Sequence, residues 1–215
     1  MIEPMETPYA CYLRLPDLLG LQRPRTPDRQ SGQWADEHFF ITVHQSAEVL
    51  VSQALVDLRE VSRLARSGRP AAAAGSLRRV TALMDMLEAH LALLERLDPG
   101  AFASFRPLLE NASAAQSSQF AELFRRIAAL DCRPAREAHS AEADAGGGAE
   151  VDAGGANEAE DREVADALWA LGAAVTRWRT RHLLLVERMI GDRPGTGGTS
   201  GLAYLRSRID LPPHE

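Results

Sequence analysis

Apolar residues recur every three to four positions along most of the chain, which is the period of an α-helix. The pattern predicts long helices over residues 36–66, 70–97 and 160–190, and shorter ones over residues 102–109 and 117–130. No stretch shows the period-two alternation typical of a strand. The sequence therefore predicts an all-α fold, a bundle of long antiparallel helices.

The first 34 residues are rich in proline and predict an extended arm with one short helix over residues 15–21. The arm carries the apolar side chains of Tyr9, Tyr12, Leu13 and Leu18. An arm of this composition stays ordered only when it docks on a surface.

Between residues 137 and 163 the composition changes to alanine, glycine, aspartate and glutamate, with Gly146-Gly147-Gly148 and Gly154-Gly155 expected to break a helix. Such a segment cannot bury a core, so we expect a flexible acidic linker inside one domain that spans residues 1–215. An acidic interaction segment is the alternative. The linker holds nine acidic residues and one arginine, a net charge of −8, so the rest of the chain carries +2 of the total of −6.

Composition excludes several classes of function. There is no lysine, so Schiff-base catalysis and a Walker-type phosphate loop are excluded. A protein with pI near 5.6 lacks the basic surface that nucleic-acid binding needs. No apolar run reaches the roughly 18 residues of a membrane span. The two cysteines, Cys11 and Cys132, form no C-x-x-C motif, which fits a reducing cytoplasm.

Two histidines stand out from the helical pattern. His44 follows Phe40 by four residues, so the two share a helix face. Taken alone, His44 is most simply a core histidine, and Glu48 one turn later makes a metal pair the weaker alternative. His182 lies on the apolar stripe of the last helix, where a neutral imidazole would suit the proximal ligand of a haem iron. A structural buried histidine is again the commoner explanation.

A glycine-rich segment, Gly195-Thr196-Gly197-Gly198-Thr199-Ser200-Gly201, follows the last helix. Its backbone amides and hydroxyls could close over an anionic or amino-acid ligand. A flexible turn is the alternative, and composition does not decide between them.

Together, these segments resemble the tryptophan 2,3-dioxygenase family of haem-dependent aromatic oxygenases. The matching motifs occur in the same order and at similar spacing in both. They are Tyr9-Ala10-Cys11-Tyr12-Leu13, Leu18-Leu19, Gln22-Arg23-Pro24, Asp36-Glu37, Phe40-Ile41, His44-Gln45, Gln116-Ser117, Gln119-Phe120, Arg181-His182, Val186, Arg188, Ile190-Gly191, the 195–201 segment and Tyr204-Leu205.

The resemblance implies a b-type haem whose iron is bound by His182, with Gly197 beside the cofactor. It places His44 on the distal side near the ring nitrogen of the substrate, and Phe40 against the aromatic ring. Thr196 would contact the polar end of the substrate.

The resemblance also implies a second copy of the chain. Tyr9, Tyr12 and Leu13 of one subunit would reach into the pocket of its neighbour. The active unit would then be a homo-oligomer, a tetramer or a dimer.

One departure from the family pattern concerns substrate binding. The family reads Gln-Phe-Arg where this chain has Gln119-Phe120-Ala121, and that arginine pairs with the substrate carboxylate. Losing a bidentate ion pair weakens binding by several kcal/mol. Arg125, one turn later, is the candidate replacement, and Ala115 stands where the family has a bulky phenylalanine.

The expected activity is oxygenation of an aromatic, indole-containing or tryptophan-derived substrate by dioxygen, with ring cleavage as the family default. Monooxygenation of an aromatic amino acid and non-catalytic haem binding are the alternatives. We expect a cytoplasmic enzyme that binds neither nucleic acid nor membrane.

Overall fold

The computed structural model describes residues 7–130, 155–191 and 205–206. Secondary structure over these residues is helical throughout, without a strand. The helices are α1 (Pro8–Leu13), α2 (Leu15–Leu18), α3 (Gly32–Arg66), α4 (Pro70–Leu94), α5 (Pro99–Phe105), α6 (Ser118–Ala128) and α7 (Gly155–Ile190), with 3-10 turns at Arg106–Leu109 and Ala114–Gln116. The all-α prediction is confirmed.

The long helices α3, α4 and α7 form a bundle with the shorter α6. Helix α4 packs against both α3 and α7, and α6 packs against α3. Cross-helix contacts give the directions: Asp57 pairs with Arg79, whereas Arg78 pairs with Glu163 and Glu95 with Arg181. Because Ser46 also contacts His90, α3 and α4 are antiparallel, while α4 and α7 run the same way.

The main core lies between these four helices and consists of aliphatic side chains. Its largest fully buried members are Leu58, Leu77, Met84, Leu87, Leu123 and Leu171. Each sits on the apolar stripe of its helix, so burial follows the period of the sequence. A smaller core of Leu97, Phe102 and Phe105 lies at one end, against Phe39, Phe40, Met189 and Ile190.

Side-chain caps set several helix starts. The hydroxyl of Ser31 accepts from the amide of Trp34, so α3 begins four residues earlier than predicted. Asp98 and Ser117 cap α5 and α6 in the same way. At its C-terminus, α7 is followed by Gly191 with φ of +58°, a conformation that glycine adopts without strain.

Other boundaries differ from the prediction. Helix α1 was not predicted, because six residues are too few to show a period. Helix α7 begins at Gly155, five residues earlier than predicted, so residues 155–163 of the predicted linker are helical. The rest of that linker, residues 137–154, lies outside the described residues.

Helix α3 is long and apolar enough to cross a membrane on composition alone. In the bundle its apolar stripe, including Val51, Ala54 and Leu58, is buried against neighbouring helices. It also carries the buried carboxylates of Glu37 and Asp57.

Candidate active site

His44 on α3 and His182 on α7 lie near enough that a proton on His44 would disfavour a proton on His182. The two helices run in opposite directions on either side of α4. The structure thus brings together the two histidines selected from the sequence, which are 138 positions apart.

His44 is held as a neutral imidazole with a defined tautomer. Burial lowers its pKa, and this effect outweighs the opposing influence of the Phe40 carbonyl and Glu48. Its Nδ1 lies 2.8 Å from the carbonyl oxygen of Phe40. Because a carbonyl only accepts, Nδ1 carries the proton and Nε2 keeps a lone pair. His44 therefore offers an acceptor at Nε2.

Phe40 forms the wall beside His44. The two rings are 4.0 Å apart between centroids. Phe102 and Phe105 each lie 5.6 Å from Phe40, so α5 fixes the ring on its far side. This contact joins the small core to the candidate site.

His182 lies against aromatic side chains. Trp178, one turn earlier on α7, stacks on its ring with centroids 4.9 Å apart and planes 16° apart. Phe120 and Phe124 of α6 in turn contact Trp178 at 5.5 and 5.3 Å. Burial, and then the nearby His44, lower the pKa of His182 to about 4. The imidazole is therefore neutral at physiological pH.

Ion pairs between α4 and α7 hold the His182 helix in place. Arg181 donates to both oxygens of Glu95, at 2.9 and 3.1 Å. Arg177 pairs with Asp85 and Glu88 one turn earlier. Because Arg181 precedes His182, these pairs restrict the rotation of α7 that would turn the imidazole away.

The donor set fits a haem with one protein ligand. Among the described residues no hydrogen bond engages either ring nitrogen of His182, and its surroundings are apolar and aromatic. A neutral imidazole nitrogen of this kind is the common proximal ligand of haem iron. The chain could hold the cofactor through His182.

The alternative metal pair of His44 and Glu48 finds no support in the geometry. The Glu48 carboxylate accepts a hydrogen bond from Nε2 of Gln119 at 2.9 Å. Within the described part of the chain no cluster of three or more histidine, cysteine or acidic side chains could hold a metal ion.

The remaining residues predicted to bind substrate or cofactor lie in three places: on α6, on α1 and outside the described residues. Arg125 is exposed and its guanidinium binds both oxygens of Glu122, so it would have to leave this pair to reach a substrate. Ala121 is exposed on α6. Thr196 and Gly197 lie outside the described residues.

Three of the residues predicted to bind substrate lie on the N-terminal arm. Tyr9, Tyr12 and Leu13 lie on α1 and are exposed. The structure does not bring them to the histidines of their own chain, because α1 contacts only α2 among the described helices.

The sequence analysis did not predict two contacts that hold His182 and its helix. Nothing in the chain predicts that Glu95 pairs with Arg181, since the partners are 86 residues apart. The stack of Trp178 on His182 could have been found, because residues four apart on a helix are neighbours.

Comparison with known proteins identifies the family. The tryptophan 2,3-dioxygenase family model matches residues 2–135 and 153–212, leaving out most of the acidic segment. The chain is 31% identical to the tryptophan 2,3-dioxygenase of Anaeromyxobacter sp., over 95% of this chain and 91% of that protein. It is 35% identical to the enzyme of that name from Nocardioides sp., over 94% and 89%, and 29% identical to that of Pseudomonas aeruginosa, over 94% and 84%. With matches over nearly its whole length, the chain belongs to the tryptophan 2,3-dioxygenase family.

Proposed function

We propose that this protein is a haem-dependent dioxygenase that acts on an indole-containing, tryptophan-derived substrate. The observation that carries the proposal is the pair of neutral histidines, one without a hydrogen-bond partner in the described chain and one with a lone pair fixed at Nε2. Family membership supports the same activity.

His182 would bind the iron of a b-type haem, and Gly197 would lie beside the cofactor. The chemistry that the haem supplies when bound is the activation of dioxygen. The stacked Trp178 keeps the imidazole plane in one orientation, and the Arg181–Glu95 pair keeps α7 in register. Burial of the imidazole excludes the proton that would otherwise compete for the ligating nitrogen.

His44 would accept a hydrogen bond from the ring N–H of the substrate. Its Nδ1 proton is committed to the Phe40 carbonyl, so Nε2 is the nitrogen available for this contact. The ring of Phe40 would pack against the aromatic ring of the substrate, since aromatic pairs favour offset or tilted contact at this range.

Recognition of the polar end of the substrate differs from the family pattern. Ala121 removes the usual carboxylate partner, and Arg125 is engaged by Glu122. Thr196 would contribute a hydroxyl, and Arg125 would contribute charge only after release from its pair. A substrate whose carboxylate is modified or absent fits this site better than free tryptophan, because no desolvated carboxylate is left unpaired.

The active unit would be a cytoplasmic homo-oligomer, a tetramer or a dimer, in which α1 of one subunit completes the pocket of another. The exposure of Tyr9, Tyr12 and Leu13, and the lack of contact between α1 and the bundle, support this arrangement.

The test of the activity is a mass measurement. Reduced, haem-loaded protein is mixed anaerobically with tryptophan, tryptophan amide or tryptamine, and then exposed to dioxygen. Dioxygenation incorporates both atoms without a further reductant, so a product gain of 32 Da is expected, larger in yield for the amide or amine. A gain of 16 Da in a parallel sample that also contains ascorbate would instead establish the monooxygenase alternative, because the reductant supplies the two electrons that convert the second oxygen atom to water. Haem binding without turnover of any of the three would overturn both.

A further inference from the structure

Glu37 is a buried carboxylate that the proposed chemistry does not use. It lies in the second turn of α3, and 1% of its surface is exposed. Its Oε1 accepts the amide of Arg25 at 2.8 Å. Its Oε2 accepts both the amide and the hydroxyl of Thr26, at 2.8 and 2.6 Å.

These bonds keep Glu37 ionised. Burial by itself would raise the pKa, but the bonds from Thr26 and Arg25, together with the charge of Arg25, lower it below the usual range. Backbone N–H groups that point at a carboxylate stabilise its charged form strongly. A neutral side chain of the same size therefore cannot replace it without loss.

The residues that Glu37 holds belong to a strap, which we define as residues 21–26, running along α3 in the opposite direction. Gln22 donates to Oε1 of Gln45 at 2.7 Å, and Gln45 donates back to the carbonyl of Leu21 at 3.2 Å. At the other end of the strap, Arg25 donates to the carbonyl of Leu108. Of these contacts, those of Glu37 are the most deeply buried.

Beyond the strap, helices α1 and α2 contact each other but no other helix in the described part of the chain. Tyr9 is 68% exposed and Tyr12 is 86% exposed. The direction in which α1 leaves the bundle is thus set at the strap, and large aromatic side chains at its end remain available to a second copy of the chain.

We propose that Glu37 is a positioning residue for the active site of the neighbouring subunit, because it anchors the strap that presents α1 to that subunit. The inference rests on the proposed function, in which the arm acts in a second copy. The new element is that a carboxylate on α3 of one subunit controls substrate binding in the neighbouring subunit.

The variant that tests this is Glu37→Gln. The amide nitrogen turns a donor toward one of the two backbone N–H groups, so the strap loosens while the side-chain volume stays the same. We expect KM for the indole substrate to rise about tenfold or more, with haem affinity unchanged. Glu37→Asp keeps the charge and should recover part of the loss. Thr26→Val removes one bond only and should give a smaller rise if Glu37→Gln does not fold.

The matched control is Glu110→Gln. Glu110 also contacts the strap, through an exposed ion pair with Arg25. Exposed pairs contribute little, so this variant should behave like the unmodified protein.

Subunit mixing separates action in the neighbour from action in the same chain. His182→Ala removes a subunit's own haem ligand but leaves its strap intact. When Glu37→Gln and His182→Ala chains are co-assembled, the intact haem site of the first receives an intact arm from the second. A KM close to that of the unmodified enzyme is expected for the mixture, although neither variant alone shows it.

Three results would overturn the proposal. One is an unchanged KM in Glu37→Gln. Another is a mixture that keeps the high KM, which would place the effect within one chain. The third is amide hydrogen exchange over residues 7–26 that is no faster in Glu37→Gln; this measurement needs no turnover, so it decides the role of Glu37 even if the proposed activity fails.

Discussion

His44 and His182 have the same side chain, but the structure places them in different surroundings. The Nδ1 proton of His44 is fixed by the Phe40 carbonyl, whereas the ring of His182 is held by stacking on Trp178. A hydrogen bond specifies which nitrogen is free, and a stack leaves both nitrogens available. The first environment suits an acceptor for a substrate, and the second suits a metal ligand.

The role of His44 can be tested with a substrate that cannot donate. His44→Ala should retain haem and lower kcat/KM for an indole substrate by about ten- to a hundredfold, the value of a buried hydrogen bond. The unmodified enzyme should lose a similar factor with the N-methylindole analogue. Because both changes remove the same bond, combining them should cost little more than either alone. Fully multiplicative losses in steady-state kinetics would contradict the assignment.

At the scale of elements, α3 carries several of these residues along its length. Glu37 anchors the strap, Phe40 and His44 form the site, and Asp57 pairs with Arg79 of α4. Asp57 is 1% exposed, and its Oδ2 has no hydrogen-bond partner. Removal of Arg79 would leave this buried charge with only Gln53 as a partner.

The Asp57–Arg79 pair gives a prediction about stability. Arg79→Leu should lower the free energy of unfolding by about 3 kcal/mol, because the buried carboxylate loses its counter-charge. The double variant Asp57→Leu with Arg79→Leu should recover most of this loss. Urea denaturation measures both variants. The exposed pair of Arg63 and Glu60 provides the control, since Arg63→Leu should change stability by less than about 1 kcal/mol.

The elements show how far the sequence predicts the fold. The period of the apolar residues located all five longer helical segments, because burial of one stripe is what stabilises them. Their ends depended on local caps such as Ser31, which periodicity does not report. Helix α7 begins at Gly155, in an alanine-rich and acidic stretch where no apolar period marks a helix.

The site was predictable in part for the same reason. His44 with Phe40, and His182 with Trp178, lie four residues apart and share a helix face by geometry alone. Glu37 and Glu95 gain their importance from partners on other segments, Thr26 and Arg181, and their sequence neighbourhood shows none of this.

For the molecule as a whole, the partly buried His182 predicts how stability varies with pH in the absence of haem. In the unfolded chain a histidine titrates near 6.5, whereas folding lowers the pKa of His182 to about 4. Between these values the unfolded state binds more protons, so the free energy of unfolding falls as the pH is lowered from about 6.5 to 4.

This loss should reach about 3 kcal/mol for His182. Urea titrations at several pH values, compared with those of His182→Leu, measure it. The variant should show a correspondingly shallower slope. Equal slopes would mean that His182 is not buried as a neutral group.

The same histidine carries the central claim, which is that His182 binds haem and His44 faces the substrate. The most direct measurement is a titration of the haem-free protein with ferric haem, followed by its Soret absorption and by the iron–histidine stretch after reduction. The unmodified protein and His44→Ala should bind one haem per chain with a histidine ligand, and His90→Ala serves as the control for loss of an unrelated histidine. His182→Ala should lose the histidine signature while keeping its helical content. A histidine-bound haem in His182→Ala would contradict the account.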